Sequence, residues 1–113
     1  MRLEQLQAFI EVAQRRSVSR AAEALFVTQP TLTARLKGLE QELGSRLFIR
    51  TGRGMRLSDA GRAFLPYAER SLGAAAAGRR LLSELARGES GQLALGAAPA
   101  VSTYVLPRIL TRF

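Results

Sequence analysis

The 113-residue chain contains no cysteine and no histidine. Their absence excludes disulfides, metal sites built on thiolate or imidazole ligands, and the Ser/His and Cys/His pairs that activate most nucleophiles. No acid and base pair replaces them, and Gly52 and Gly54 with one residue between them indicate a turn rather than a phosphate loop. We therefore expect a protein that is not an enzyme and needs no metal and no cofactor.

The chain also lacks a long apolar run. The first residues, from Met1 to Gln5, become polar at once, and no secretory core follows them. No segment approaches the roughly 18 apolar residues that a membrane span needs. We expect a soluble, cytoplasmic protein with no membrane partner.

Acidic residues are scarce. Nine Asp and Glu against 17 Lys and Arg give a net charge of +8, and Lys37 is the only lysine. Residues 15–56 hold nine basic and three acidic side chains, so six of the eight net charges lie there. A guanidinium binds a phosphate or a guanine edge through two parallel hydrogen bonds. This segment is therefore predicted to bind a polyanion, although arginines that cover a solvated surface would give the same composition.

Three helices are indicated in the first half of the chain. Apolar residues recur at three- and four-residue spacing in residues 3–13, which is typical of an amphipathic helix. Ser19 is expected to cap a short second helix over residues 20–26. Thr28 is the candidate cap of a third helix, with Pro30 in the first turn, where its missing N–H breaks no helical bond.

The third helix is expected to end at Gly44, which suits a left-handed C-cap. Short extended runs at residues 47–50 and 55–57 then flank a glycine-containing turn, which indicates a β-hairpin. The predicted fold class is mainly α: a winged helix-turn-helix of three helices plus a β-hairpin wing, followed by a long dimerisation helix.

The long helix is expected to begin after Ser58 and Asp59 and to end near Arg87. Its apolar and small residues alternate at spacings of four and three, the pattern of a helix that pairs with another helix. We expect it to join two copies of the chain through Phe64, Tyr67, Ser71, Leu72, Ala74, Gly78, Leu81, Leu82 and Leu85. The same stripe would also arise if the helix packed back on its own domain.

These patterns divide the chain into three segments. Residues 1–57 form the predicted winged helix-turn-helix, residues 58–87 the linker or dimerisation helix, and residues 88–113 a hinge followed by the start of a further domain. Residues 92–96 resemble one strand, which has no partner strand in the sequence and is not stable alone. We therefore expect the chain to be cut inside a second domain.

The helix-turn-helix motif predicts which residues contact DNA. In this motif the second helix offers its N-terminal residues to base edges. Gln29 suits adenine, Thr31 and Thr33 suit a base edge or a phosphate, and Arg35 suits guanine or the backbone. Arg53 lies between two glycines and is expected to enter the minor groove. The candidate DNA-binding residues are Ser19, Arg20, Thr28, Gln29, Pro30, Thr31, Thr33, Arg35, Lys37, Arg50, Arg53 and Arg56. A solvated cation or a capping hydroxyl is the alternative for each.

Several of these motifs resemble those of LysR-type transcriptional regulators. The resemblance rests on the segments Arg20–Leu25, Val27–Pro30, Leu39–Gly44, Leu47–Phe48 and Arg50–Thr51. It implies a winged helix-turn-helix over residues 3–57, a linker helix over 58–87 that pairs with a second subunit, and the start of an effector-binding domain over 91–113. In this family Ser102 and Thr103 align with a stretch that often helps to hold an inducer.

The resemblance implies a transcription factor that binds an interrupted palindrome in double-stranded DNA as a homodimer. Full-length members often form tetramers and respond to a small-molecule inducer, for which this chain lacks the complete domain. Many members have Arg followed by Gln in the recognition helix where this chain has Ala34 and Arg35, so the guanine-reading role of that family arginine is absent or moved. The alternative function is a helical protein-interaction module with only non-specific DNA affinity.

Overall fold

The computed structural model describes residues 1–88, and the fold class is the predicted one. The elements are α1 (Leu3–Arg15), α2 (Val18–Ala24), α3 (Gln29–Leu43), β1 (Phe48–Thr51), β2 (Gly54–Leu57) and α4 (Asp59–Ala86). Residues Met1–Gly73 form one compact unit, and a second unit begins at Ala74, within α4. The strand expected at 92–96 lies outside the described residues.

The core of the first unit is built around α1. Helical spacing brings Leu6, Phe9 and Val12 to one side of this helix, and all three are buried. The ring of Phe9 lies 5.4 Å from that of Phe48 and 5.6 Å from that of Phe64, centroid to centroid. One aromatic side chain of α1 therefore contacts both the wing and α4 in the core.

The predicted start of α2 was wrong by two residues. Ser17, not Ser19, is the N-cap, because Ser17 has an extended backbone (φ −154°, ψ 125°) and its Oγ accepts a hydrogen bond from the N–H of Arg20. A capping residue must lie outside the helical geometry, and Ser19 is already inside it. The helix also ends at Ala24, before the predicted residue 26, since Phe26 has a left-handed backbone (φ 57°).

The predicted ends of α3 are confirmed. Thr28 is the N-cap, and its Oγ1 accepts a hydrogen bond from the N–H of Thr31. Gly44 is the C-cap with a left-handed backbone (φ 69°). Leu32 and Leu39 are fully buried between these ends, so the opposite side of α3 faces solvent.

The wing is a two-stranded antiparallel hairpin in which Phe48 pairs with Leu57 and Arg50 with Met55. Side chains alternate between the faces of a strand, so the Phe48 face is turned to the core and the intervening Ile49 is half exposed. Leu47, expected within the first strand, precedes β1 and is buried. The buried side chains of Leu47 and Phe48 thus attach the start of the hairpin to the core.

The beginning of α4 is tied to the base of the wing. The Oγ of Ser58 accepts a hydrogen bond from the N–H of Gly61 and donates one to the carbonyl oxygen of Arg46, at 3.0 and 2.6 Å. The N–H of Ser58 also donates to the carbonyl oxygen of Leu47 at 2.9 Å. The hydroxyl predicted to begin the helix therefore also fixes where the hairpin leaves the core.

Candidate nucleic-acid interface

The exposed side of α3 presents a row of polar groups. Gln29, Thr33 and Lys37 follow each other at intervals of four residues and therefore lie on one face of the helix. All three are exposed, and with Pro30 and Ala34 they border one shallow depression of the surface. An amide, a hydroxyl and an ammonium in a row offer the donors and acceptors that base edges in the major groove require. We call Gln29, Thr33 and Lys37 the reading face.

Thr28 and Thr31 border the reading face but bind each other. The hydroxyl of Thr28 donates to the Oγ1 of Thr31 at 3.0 Å and accepts from the N–H of Thr31 at 3.2 Å. Thr28 is therefore occupied in capping α3. The hydroxyl proton of Thr31 has no acceptor among residues 1–88 and is free for a ligand at the exposed N-terminus of the helix.

Arg35 does not lie on the reading face. It is two residues from both Thr33 and Lys37, which rotates it by about 200° around the helix axis. Its side chain is 26% exposed, and Nη2 lies 3.9 Å from the Oε2 of Glu4 at the start of α1. The structure therefore separates Arg35 from the residues with which it was grouped.

Ser19 and Arg20 lie at the start of α2, and both are exposed. The N–H of Arg20 is already bound by the Oγ of Ser17, at 3.1 Å, so it is not free for a phosphate. The hydroxyl of Ser19 lies 3.4 Å from that of Ser17. What this helix end offers a polyanion is therefore the guanidinium of Arg20 and the hydroxyl of Ser19.

The three arginines predicted on the wing, Arg50, Arg53 and Arg56, are all exposed. Arg50 borders a narrow groove between α3 and the wing, together with Thr33 and Lys37. The turn is ordered by Thr51, whose Oγ1 accepts from the N–H of Arg53 at 3.2 Å and donates to the carbonyl oxygen of Gly54 at 2.9 Å. Arg53 therefore lies at the tip of the wing, in a turn that the two hydrogen bonds of Thr51 stabilise.

The residues that hold the wing in place were not predicted from the sequence. The N–H of Leu47 donates to Oε2 of the half-buried Glu40, at 2.7 Å, which connects α3 to the entry of the hairpin. The N–H of Met55 donates to the carbonyl oxygen of Arg16, at 3.2 Å, which connects the hairpin to the end of α1. Glu40 lies in the motif Leu39–Gly44, but a sequence motif does not show that its carboxylate caps a chain segment seven residues later.

The candidate dimerisation residues on α4 fall into two groups. Phe64 and Leu72 are half-buried and pack against the core of their own unit, which is where the alternative interpretation placed the stripe. Leu85 is also half-buried. The other six candidates are exposed: Tyr67, Ser71, Ala74, Gly78, Leu81 and Leu82. Tyr67 is 60% exposed and its ring lies 5.0 Å from the guanidinium carbon of Arg70. Ser102 and Thr103 lie outside the described residues.

Residues 1–88 contain no cluster of carboxylates that would hold a metal ion. Within the same residues, no helix is long and apolar enough to cross a membrane.

Comparison with known proteins identifies relatives of the same architecture. Residues 3–62 match the family model for the bacterial regulatory helix-turn-helix protein, lysR family. A probable RuBisCO transcriptional regulator of Thalassiosira pseudonana is 43% identical over 111 residues, which is 98% of this chain and 36% of that protein. This chain thus spans just over a third of that curated relative.

Solved structures agree with this comparison. CbnR, a LysR family transcriptional regulator, is 40% identical with a TM-score of 0.73, over 78% of this chain and 30% of that one. The BenM_DBD/catB site 1 DNA complex is 32% identical with a TM-score of 0.69, over 80% of this chain and 99% of that one. The described residues therefore share their fold with a domain that has been solved on DNA.

Proposed function

Because the chain belongs to the LysR family of bacterial regulatory helix-turn-helix proteins, we propose that it binds double-stranded DNA sequence-specifically and regulates transcription as a homodimer on an interrupted palindrome. It acts by equilibrium binding rather than by catalysis, in the cytoplasm, and needs no cofactor.

The reading face of α3 carries this proposal. Gln29, Thr33 and Lys37 are exposed in one row that runs from the N-terminus to the middle of the helix that the motif places in the major groove. A glutamine amide matches the donor and acceptor of adenine, and a lysine matches the acceptors of guanine. Pro30 and Ala34 beside them offer apolar contact to a thymine methyl group.

The wing and the start of α2 supply the contacts that position the protein on the duplex. Arg50 borders the groove beside α3, and Arg53 lies in the wing turn that Thr51 stabilises. Arg53 enters the minor groove next to the major groove that α3 occupies, while Arg50, Arg56, Arg20 and Ser19 bind phosphates. Thr28 contributes by capping α3, and Thr31 offers its hydroxyl to a phosphate.

Two copies pair through the exposed side of α4. Tyr67, Leu81 and Leu82 are large apolar side chains exposed on this helix, and burying them against a second copy removes apolar surface from water. Small residues at Ser71, Ala74 and Gly78 allow the two backbones to approach. A two-fold axis then presents two reading faces to half-sites separated by about 34 Å, one helical turn of DNA, or by a multiple of that distance.

In the longer protein to which the relatives point, a small molecule controls binding. Residues 88–113 are a hinge followed by the start of the domain that holds this inducer, with Ser102 and Thr103 among its contacts, and full-length members of the family often form tetramers. The inducer and the tetramer are inferred from the family, because this chain spans only 36% of the Thalassiosira pseudonana relative.

The test is selection of bound duplexes from a random pool, followed by sequencing, with affinities measured by fluorescence anisotropy across a salt series. We expect an interrupted palindrome and an affinity that falls steeply as salt rises. Retention of random duplexes alone, with no recovered consensus, would contradict sequence-specific binding and favour a protein-interaction module.

A further inference from the structure

A second basic surface lies beside the wing, away from the reading face. It is a cleft of about 790 Å³ between the end of α1, strand β2 and the start of α4. Ala13, Met55 and Leu57 contribute apolar surface to it, and no acidic residue lines it. Four arginines border the cleft: Arg16, Arg53, Arg56 and Arg62. We call it the arginine cleft.

Most of this positive charge is not neutralised by the protein. Arg62 contacts the carboxylate of Asp59 and donates to the carbonyl oxygen of Leu57 at 3.3 Å. No carboxylate among residues 1–88 lies within ion-pair distance of Arg16, Arg53 or Arg56. Like charges gathered around one cleft repel each other, and an anion bound between them relieves that repulsion. The cleft therefore has the charge and the size for a phosphate.

The arginine cleft is distinct from the groove beside α3, although Met55 of β2 borders both. The groove next to α3 is bordered by Lys37 and by Arg50 of β1, whereas the arginine cleft is bordered by Arg56 of β2 and by Arg16 of α1. Arg53 at the wing tip lies on the rim of the arginine cleft. No residue of α3 lines the arginine cleft, so a ligand in the cleft is close to the wing tip and does not lie in the groove beside α3.

We propose that the arginine cleft binds a backbone phosphate of duplex DNA, on the strand that borders the far side of the minor groove entered by the wing, and that Arg16 and Arg62 are additional DNA contacts. The minor groove is only about 6 Å wide and is walled by both backbones. A wing tip placed in it has one backbone towards α3 and the other towards the cleft. This inference rests on the proposed DNA-binding function and extends its footprint.

Arg16 is well placed to act as a fixed contact. It is the C-cap of α1 with a left-handed backbone (φ 57°), and its carbonyl oxygen accepts the hydrogen bond from Met55 that anchors the wing. The backbone of Arg16 therefore moves with the wing, while no hydrogen bond within residues 1–88 occupies its guanidinium. A fork-shaped donor held at the edge of the cleft matches the geometry of phosphate oxygens.

The decisive variant is Arg16→Gln, which removes the charge and keeps the carbonyl that anchors the wing. Its matched control is Arg15→Gln, which removes the same charge one residue earlier, from an arginine whose Nε lies 2.6 Å from the Oε1 of Glu11. The dependence of log K on log salt is measured for the full chain on a mixed-sequence duplex. Each phosphate contact contributes about 0.9 to this slope in duplex DNA.

We expect Arg16→Gln to lower the slope by about 0.9 for each subunit bound, and to weaken binding equally on operator and random DNA. Arg15→Gln should keep the wild-type slope, and Arg16→Lys should restore it because the charge returns. A wild-type slope in Arg16→Gln, with an unchanged unfolding midpoint, would overturn the proposal while leaving DNA binding intact. If the wild-type chain bound no DNA, the proposed function itself would fail.

A neutral methylphosphonate in place of single phosphates identifies the contact. At the phosphate that fills the cleft it should weaken the wild-type chain and leave Arg16→Gln unchanged, so that the two losses are not additive. Additive losses at every phosphate near the wing would overturn the assignment. Inorganic phosphate is the second probe: if it shifts the NMR signals of Arg16 while the DNA slope of Arg16→Gln stays at the wild-type value, the cleft binds a free anion and not the backbone.

Discussion

Gly54 of the wing lies directly against the carbonyl oxygen of Arg16. A Cβ on residue 54 would lie 2.6 Å from that oxygen, and the backbone of Gly54 has φ 120°, which side-chain-bearing residues rarely adopt. The next residue, Met55, donates its N–H to the same oxygen at 3.2 Å. The position of the wing relative to the helices thus depends on a close approach between two main chains.

Gly54→Ala should separate these main chains. The added methyl meets a backbone oxygen and the strained φ remains, so we expect a loss of about 1 to 3 kcal/mol in the free energy of unfolding. Gly52→Ala is the control, because nothing lies within 4 Å of a Cβ there and its φ is not positive. Urea unfolding followed by circular dichroism compares the two. Equal stabilities would mean that the contact with Arg16 is not a constraint.

Glu40 should matter for the same reason at the base of the wing. Glu40→Ala leaves the N–H of Leu47 without its acceptor in a half-buried position and should cost about 1 to 3 kcal/mol of unfolding free energy. Glu40→Gln keeps an acceptor oxygen and should recover most of that loss. Thermal or urea unfolding measures both variants, and a glutamine as destabilising as the alanine would assign the effect to charge instead of the hydrogen bond.

Gln29→Ala should reduce sequence discrimination. We expect a loss of about 1 to 3 kcal/mol on the recovered operator and little change on random duplexes, because a bidentate contact to one base is lost. Gln7→Ala is the matched control on the exposed side of α1. Fluorescence anisotropy at one salt concentration measures the affinities of the wild-type chain and of both variants for the two kinds of DNA. Equal losses on both kinds of DNA would make Gln29 a backbone contact.

Lys37 and Arg35 are both cations of α3, but we expect their substitution by alanine to weaken DNA binding to different extents. Lys37 lies on the reading face, whereas Arg35 is 26% exposed and 3.9 Å from Glu4. Lys37→Ala should therefore weaken binding about tenfold, and Arg35→Ala should do so to a lesser extent. Glu4→Gln removes the carboxylate that Arg35 contacts, and its DNA affinity shows whether a released Arg35 strengthens binding. A greater loss in Arg35→Ala, with normal stability, would show that its guanidinium leaves Glu4 for DNA in the complex.

Leu81→Glu should weaken the dimer. Leu81 is 44% exposed on the side of α4 assigned to pairing, and a carboxylate buried there without a partner is unfavourable. Ser83→Glu adds the same charge two residues later, about 200° around the helix. Sedimentation velocity should show more monomer for Leu81→Glu alone. A dimer that survives in Leu81→Glu and dissociates in Ser83→Glu would place the interface on the other face.

Local patterns predicted the elements of the fold because each element carries its own signal. Thr28 and Gly44 mark the ends of α3 through hydrogen bonding and backbone preference, both of which act within a few residues. The start of α2 was mistaken because Ser17 and Ser19 have the same side chain. Only the extended backbone of Ser17 distinguishes the cap, and that depends on how α1 ends at Arg16.

The candidate interface was predicted less completely, since side-chain partners are distant in sequence. The reading face follows from helical spacing, but the pairing of Arg35 with Glu4 joins residues 31 positions apart. The packing of Phe64 on Phe9 likewise depends on how α4 crosses α1. No short motif contains such information, whereas the composition of the wing alone indicated the basic surface.

If the reading face binds DNA sequence-specifically, the wild-type chain must bind its operator more tightly than other duplexes, and the ratio of the two dissociation constants measures this. The dissociation constants for the recovered operator and for a shuffled duplex of equal length are measured by fluorescence anisotropy in one buffer at physiological salt. We expect a ratio on the order of 10³ or more in favour of the operator. A ratio near one would contradict sequence-specific binding, whatever the absolute affinity, because the binding would then be that of a basic surface alone.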